Sequence, residues 1–311
     1  MKRMVYFIFG FVWVACNTEP PTKNQLPEEA QTALTTKLQQ EISGFAAPEG
    51  IVADAQYIYV SNVGEKLAPT EKDGDGFISR LDKLGQMQEQ QFIAGLHAPK
   101  GMVIQQEILY VADVDRVKGF QLPGGEPVFD LDFSPSKANY LNDLAVDKAG
   151  NLLVSATNLG QIFRIDTEGE GTYSALEVDG DLSGVNGLFF DRRTNQLFVN
   201  SYGKNNEPNG ALGVMNLGAT GTLLLKRLGT YEGYLDGLLV LGSNLMVFTD
   251  WKKFEKAGEL LVMDLLNHQT HPFELSQKIA GPADFYFDPA TKILWMPMMM
   301  ENKVLMEQIN L

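Results

Sequence analysis

PEGIVAD (48–54), PKGMVIQ (99–105), LNDLAVD (141–147), VNGLFFD (185–191), LDGLLVL (235–241) and PADFYFD (282–288) are six versions of one phrase. Each sets a residue, polar in all but the last copy, before Gly or Asp, then alternates apolar residues, and most close on Asp. The Gly/Asp position falls at Gly50, Gly101, Asp143, Gly187, Gly237 and Asp284, so the copies are 51, 42, 44, 50 and 47 residues apart. Self-similarity at 40 to 50 residues marks a repeat architecture, in which each unit buries its apolar faces against its neighbours.

The segments after each phrase repeat as well. A short turn, such as Lys148 to Asn151 or Arg192 to Asn195, leads into a second apolar run: Ile58–Val60, Ile108–Val111, Leu152–Val154, Leu197–Val199, Leu245–Phe248, Ile293–Trp295. A third run often starts after Gly and ends on Asp, as in GFISRLD (76–82), GQIFRID (160–166) and GELLVMD (258–264). A more variable fourth segment returns to the next copy. The apolar period is two, the period of strands. Four strands per unit and six units make an all-β, six-bladed propeller with four-stranded blades. No helical pattern separates the strands, so a doubly wound α/β fold is not supported.

The sixth copy ends at Leu311 with three strands, and a propeller must close or leave a bare edge. KLQQEISGFAAPEG (37–50) echoes EQQFIAGLHAPKG (89–101), an outer strand leading into the second copy. Residues near 35–43 are therefore expected to supply the missing outer strand of the last blade, with a short helix near 27–33 ahead of it. The propeller is placed at 35–311.

The first residues read as processing signals. Lys2-Arg3 precede an apolar run from Met4 to Ala15, too short for a bilayer, which needs about 20 residues. The chain's single cysteine, Cys16, ends that run in Val14-Ala15-Cys16, which resembles a bacterial lipobox. The expectation is a lipoprotein signal peptide at 1–15, a lipidated Cys16 and a polar linker through 34. That places the protein in the bacterial cell envelope, outer membrane or periplasm-facing, touching the membrane only through its lipid. One cysteine also excludes an internal disulfide and a Cys-based zinc cluster. The formal charge of −14, from 39 acidic and 25 basic residues, argues against nucleic acid as a partner.

In a propeller the innermost strand of each blade lines the central channel. The residues before the Gly/Asp position should then ring one mouth: Glu49, Lys100, Asn142, Asn186, Asp236 and Ala283. Two carboxylates and two amides converging from four blades suit one divalent cation, since hard cations take oxygen ligands. Asn62, Asp113, Ser201 and Asp250, at the ends of the second strands, are read first as makers of inter-blade hydrogen bonds and second as a further polar layer. Asp73 to Gly76 (DGDG) reads as a tight turn. His97, His268 and His271 read as surface residues. Tyr231, Tyr234 and Trp251 read as packing, with a substrate mouth as the alternative.

At these phrases the chain resembles the regucalcin/gluconolactonase superfamily of six-bladed propellers, over residues 45–311. Glu49-Gly50, Asn186-Gly187 and Asp236-Gly237 match the phrases that carry that family's metal ligands, and Asn142-Asp143 matches the phrase beside metal and substrate. The resemblance implies one divalent cation (Ca²⁺ first; Mg²⁺, Zn²⁺ or Mn²⁺ as alternatives) held by Glu49, Asn186 and Asp236. It implies hydrolysis of a lactone or related ester by a monomer acting on a small molecule, with Asp236 accepting the proton of the attacking water. Asn142, Lys100 and Tyr140 would bind substrate. Tyr140 stands where sugar-lactone members often carry arginine, so a gluconolactone-like substrate does not follow. The alternative is a non-enzymatic NHL-like propeller that binds a ligand or protein partner. A lyase-type propeller would want a histidine at the channel.

Overall fold

The computed structural model describes residues 35–310. The expected signal peptide, Cys16, the linker and the helix near 27–33 lie outside the described residues.

Six four-stranded antiparallel sheets follow one another in chain order. Their inner strands are Pro48–Ala53, Pro99–Gln105, Leu141–Val146, Val185–Asp191, Leu235–Leu241 and, in blade six, the shorter Tyr286–Asp288. These are the six phrases. The frequent closing Asp has a local cause. Its carboxylate accepts main-chain N–H bonds from the next turn: Asp54 from Gln56 and Tyr57, Asp147 from Ala149 and Asn151, Asp191 from Arg193, Asp288 from Ala290. Asp is favoured there because its short side chain mimics a turn of backbone.

Blade six closes as expected. Thr35–Ser43 pairs antiparallel with Lys303–Asn310, with Thr35 opposite Asn310 and Ser43 opposite Lys303. Side chains reinforce the seam: the Thr36 hydroxyl donates to the buried carboxylate of Glu307, and Lys303 Nζ pairs with Glu41 at 2.5 Å. Blade four carries an addition not read in the sequence, a two-stranded parallel pair of Val178–Asp179 with Leu223–Leu224.

The apolar side chains gather between blades. Tyr59, Ile78 and Ile93 of blade one pack on Met102, Leu109 and Val111 of blade two. Equivalent cores join blades two and three, three and four, four and five, and five and six. The sixth core joins blade six to blade one, with Trp295, Val304, Met306 and Ile42 against Ile51, Ile58 and Leu81. Each blade thus buries both faces only because the ring is complete. Among the described residues, no helix is long and apolar enough to cross a membrane.

Candidate functional site at the channel mouth

The six phrases do more than start a strand. In blade one the ladder runs Pro48 opposite Asn62 and then Ile51 opposite Val60, so Glu49 and Gly50 together face the single residue Ser61. Two residues opposite one is a β-bulge. The same shift falls at Lys100-Gly101, Asn142-Asp143, Asn186-Gly187 and Asp236-Gly237. A bulge interrupts the ladder and re-aims side chains. Here it accompanies the ring residue in each of blades one to five.

The main-chain groups freed by the bulge are satisfied by the second strand. Ser61 Oγ accepts from Gly50 N at 2.8 Å, Ser155 Oγ from Asp143 N at 2.9 Å, and Asn200 Oδ1 from Gly187 N at 2.8 Å. Thr249 Oγ1 donates to Ala283 O at 3.2 Å, across to the next blade. Ser61, Ser155, Asn200 and Thr249 are not marked out by the repeat phrases. Their signal is a small polar residue 11 to 13 positions after the Gly/Asp in an otherwise apolar run.

Glycine recurs because the inner strands nearly touch. A Cβ on Gly187 would lie 2.3 Å from Asp236 O in the next blade, and one on Gly50 would lie 2.8 Å from Lys100 O. Blade three uses the position differently. Asp143 accepts through Oδ2 from Leu188 N of blade four and through Oδ1 from Leu144 N, both at 2.6 Å.

Glu49, Lys100, Asn142, Asn186 and Asp236 are all buried at this mouth, as is Ala283. Burial pushes the Glu49 carboxyl well above the usual range, the Asp236 charge pushes it further, and Lys100 offsets part of this. Burial raises Asp236 to about 7, against hydrogen bonds from Trp251 and Asn186 that favour its charged form. Asp143 is likewise raised to about 7 by burial, against its two main-chain bonds. Asp284, half-buried, is pushed well up by burial and by Asp143, Glu49 and Asp236. Lys100 is lowered to about 8 by burial, with Glu49, Asp113 and Asp236 pulling it back up. The channel therefore encloses four carboxyl groups and one amine.

Two oxygens of this ring, Glu49 Oε2 and Asn186 Oδ1, are buried with no hydrogen-bond partner. The Asn186 amide is oriented by its Nδ2, which donates to Leu235 O at 3.1 Å and leaves Oδ1 unpaired. Asp236 Oδ2 accepts from the Trp251 indole Nε1 at 2.9 Å. Lys100 Nζ donates to Ala98 O at 2.9 Å and sits 5.1 Å from the centre of the Tyr140 ring. The Asn142 amide reaches Thr157 Oγ1 at 3.4 Å. Every site residue expected within the propeller is thus brought to one place. Among the described residues, no three side chains of Asp, Glu, His and Cys alone form a metal-holding group. The ring groups that could meet a cation are the carboxylates of Glu49 and Asp236 and the amide of Asn186.

Other expectations divide. Asn62, Asp113 and Asp250 clamp the chain entering their own blade's inner strand: Asn62 Oδ1 accepts from Ala46 N, Asp113 Oδ1 from His97 N and Ala98 N, Asp250 Oδ1 from Tyr234 N. They tie segments within a blade rather than bridging blades. Trp251 packs, as first read, in a buried cluster with Ala47, Ala98 and Ala283 beside the ring, with Tyr234 against it, and Tyr202 and Phe254, which were not anticipated, are in ring contact with them. Tyr231 instead packs on Phe248 and donates to Asp250. His97 is half-buried with its Nδ1 enclosed and unpaired, not a surface residue, while His271 lies exposed on the outer strand of blade five. No ring position carries a histidine. Two surface clefts, of about 500 Å³ beside Asp75 and Gln90 and about 200 Å³ beside Asp181 and Arg227, have no ring residue in their lining.

Neither a protein-family model nor a curated protein sequence matches the chain. Solved structures do. A gluconolactonase from Xanthomonas campestris aligns with TM-score 0.63 at 12% identity, over 88% of this chain and 95% of its own. Virginiamycin B lyase from Staphylococcus aureus aligns with TM-score 0.57 at 16% identity, over 88% and 99%. That structure is of a catalytically inactive histidine-to-alanine variant. This chain is a six-bladed β-propeller. Both neighbours are too, and identities this low establish the shared fold alone.

Proposed function

We propose that the channel mouth holds one divalent cation, Ca²⁺ first among the candidates, between Glu49, Asn186 and Asp236, and that the protein hydrolyses a lactone or related ester there. The observation that carries this reading is the pair of buried, unpartnered oxygens, Glu49 Oε2 and Asn186 Oδ1, in the ring that also holds Asp236. A buried acceptor without a partner is costly, and an excess of enclosed carboxylates calls for positive charge. A hard cation answers both needs with the donors present.

When bound, the cation supplies Lewis-acid polarisation of the substrate carbonyl. The chain's own residues do the rest. The Trp251 indole fixes Asp236 through Oδ2, leaving its other oxygen to accept a proton from the attacking water. Asn142 and the Lys100 ammonium, the latter held by Ala98 O and the Tyr140 ring, flank the bound substrate and orient it. Asp143 has both oxygens occupied by main-chain N–H groups and props the junction of blades three and four.

The alternative, a non-enzymatic binding propeller, calls for a broad exposed patch on one face. The most exposed apolar side chains, Leu84, Val128, Leu224 and Leu266, instead sit one each on blades one, two, four and five. A lyase of the kind that needs a channel histidine is not favoured by this ring. With the hydrolase reading go a monomer, a small-molecule substrate, and the Cys16 lipid anchor in the cell envelope.

The test is calorimetric titration of the purified protein with Ca²⁺, Mg²⁺, Zn²⁺ and Mn²⁺, alongside hydrolysis of a lactone panel. One cation site, and loss of hydrolysis by a factor of about 100 or more in Asp236→Asn, are expected, in the range for removal of a general base. No binding of any of the four cations, or full activity in Asp236→Asn, would overturn the proposal.

A further inference from the structure

The rim of the channel mouth is apolar and aromatic. Ala47, Val63, Ala98, Val114, Ala283 and Met299 form one buried collar together with Trp251. Ends of second strands and starts of inner strands lie at the same face of an antiparallel sheet, so the loops leaving the second strands stand around this mouth. From those of blades four and five rise Tyr202 and Phe254. Tyr202 lies 5.0 Å from Tyr234 and 6.4 Å from Trp251, ring centre to ring centre, and Phe254 lies 5.5 Å from Trp251. Phe254 is 49% exposed and Met300, which like Trp251 borders Gly281, is 39% exposed. Of the four rings Phe254 is exposed, Tyr202 and Tyr234 are half-buried and Trp251 is buried, and the wall stands directly on Asp236 through the Trp251 indole.

Two polar groups of the aromatic wall are committed elsewhere. The Tyr234 hydroxyl donates to Asn206 O at 2.8 Å and the Trp251 N–H donates to Asp236. Hydroxyls placed against these ring faces, as distinct from the polar floor of Asn142 and Lys100 below, would give up water without gaining partners, which is unfavourable. A flat apolar ring would find faces and edges to pack on.

We infer that the wall of Tyr202, Tyr234, Trp251 and Phe254 selects lactones carrying an aryl or fused-aryl group over sugar lactones. This rests on the hydrolase reading for its chemistry and names the substrate class of the same site. In the reaction the water oxygen bonds to the lactone carbonyl carbon and the ring C–O bond breaks. One water proton ends on the released hydroxyl, and the other is lost from the carboxylic acid product at neutral pH.

The experiment uses the full chain with saturating Ca²⁺ and two pairs of probes. Binding is measured calorimetrically with two non-hydrolysable lactams, 3,4-dihydroquinolin-2-one and gluconolactam. Turnover is measured with the matching lactones, dihydrocoumarin and glucono-δ-lactone. Both comparisons are expected to favour the aryl member at least tenfold. Phe254→Ala, at a half-exposed position that the core does not use, and Tyr202→Ala should raise KM for dihydrocoumarin about fivefold while kcat stays within twofold. Equal or tighter binding of gluconolactam, or equal effects of the two variants on both substrates, overturns the inference. If the aryl lactam binds selectively while neither lactone is hydrolysed, the selectivity of the wall stands and the hydrolase reading falls.

Discussion

Gly187→Ala tests the geometry that builds the ring. Gly187 does not sit at a positive φ, so alanine is permitted by its backbone and only the surroundings resist. The new methyl carbon would lie 2.3 Å from Asp236 O, 3.0 Å from Leu238 Cδ2 and 3.2 Å from Asn200 Nδ2. A main-chain carbonyl in a paired strand cannot swing away alone, so blades four and five must part by about an ångström. Forcing a methyl into a packed interior costs about 1–3 kcal/mol. Separation also weakens the bond from Asn200 Nδ2 to Asp236 O, adding about 1 kcal/mol. Against this, alanine narrows the unfolded ensemble by about 0.4–1 kcal/mol. The net loss is about 1–3 kcal/mol, or roughly 2–10 °C in Tm for a domain of this size. Urea unfolding should show a lower midpoint with an unchanged slope. Gly50→Ala, whose Cβ would stand 2.8 Å from Lys100 O, should lose less. A Gly187→Ala protein melting within about 1 °C of the parent, or the reverse order of the two variants, refutes the close approach of the inner strands as the reason for glycine.

Ile42→Ala removes a buried side chain of the closing strand from the core between blades six and one, and should cost about 2–5 kcal/mol by chemical denaturation; a loss under about 0.5 kcal/mol would mean that the closing strand contributes little. Lys100→Met keeps the side-chain length and removes the one enclosed cation near Glu49 and Asp236, so Ca²⁺ should bind at least tenfold tighter by calorimetry, about 1.4 kcal/mol; unchanged or weaker binding would contradict the electrostatic account. The cation-free protein has a distinctive pH dependence. Asp143 and Asp236 titrate near 7 when folded and near 3.8 when unfolded, so the folded state binds more protons between those values and stability falls as pH rises from about 4 to about 7. Saturating Ca²⁺ favours the ionised carboxylates and should flatten that fall; melting curves across pH with and without Ca²⁺ check it, and a slope unaffected by Ca²⁺ would count against the cation site.

The repeats, by themselves, determined the six blades, the strand edges of blades one to five within a residue or two, the closing strand at 35–43 and the positions that form the ring; in blade six the inner strand starts at Tyr286 instead of near 282 and the second strand runs on to Met298. Period-two hydrophobicity and turn chemistry are local properties, and repetition supplies the architecture once the unit is recognised. The residues at Glu49, Lys100, Asn142, Asn186 and Asp236 were legible because a repeat places equivalent positions in equivalent places. Other features depend on which blade lies next to which. The bulge under each ring residue of blades one to five, and its support by Ser61, Ser155 and Asn200, exist only when first and second strands are paired. The grip of Trp251 on Asp236 joins a loop to a channel. The aromatic wall assembles Tyr202 and Phe254 from loops of two different blades, where no period marks them. Only the tertiary structure decided that Glu49 Oε2 and Asn186 Oδ1 lack partners, because whether a buried oxygen is satisfied is a property of everything around it, and sequence spacing records only what lies along the chain.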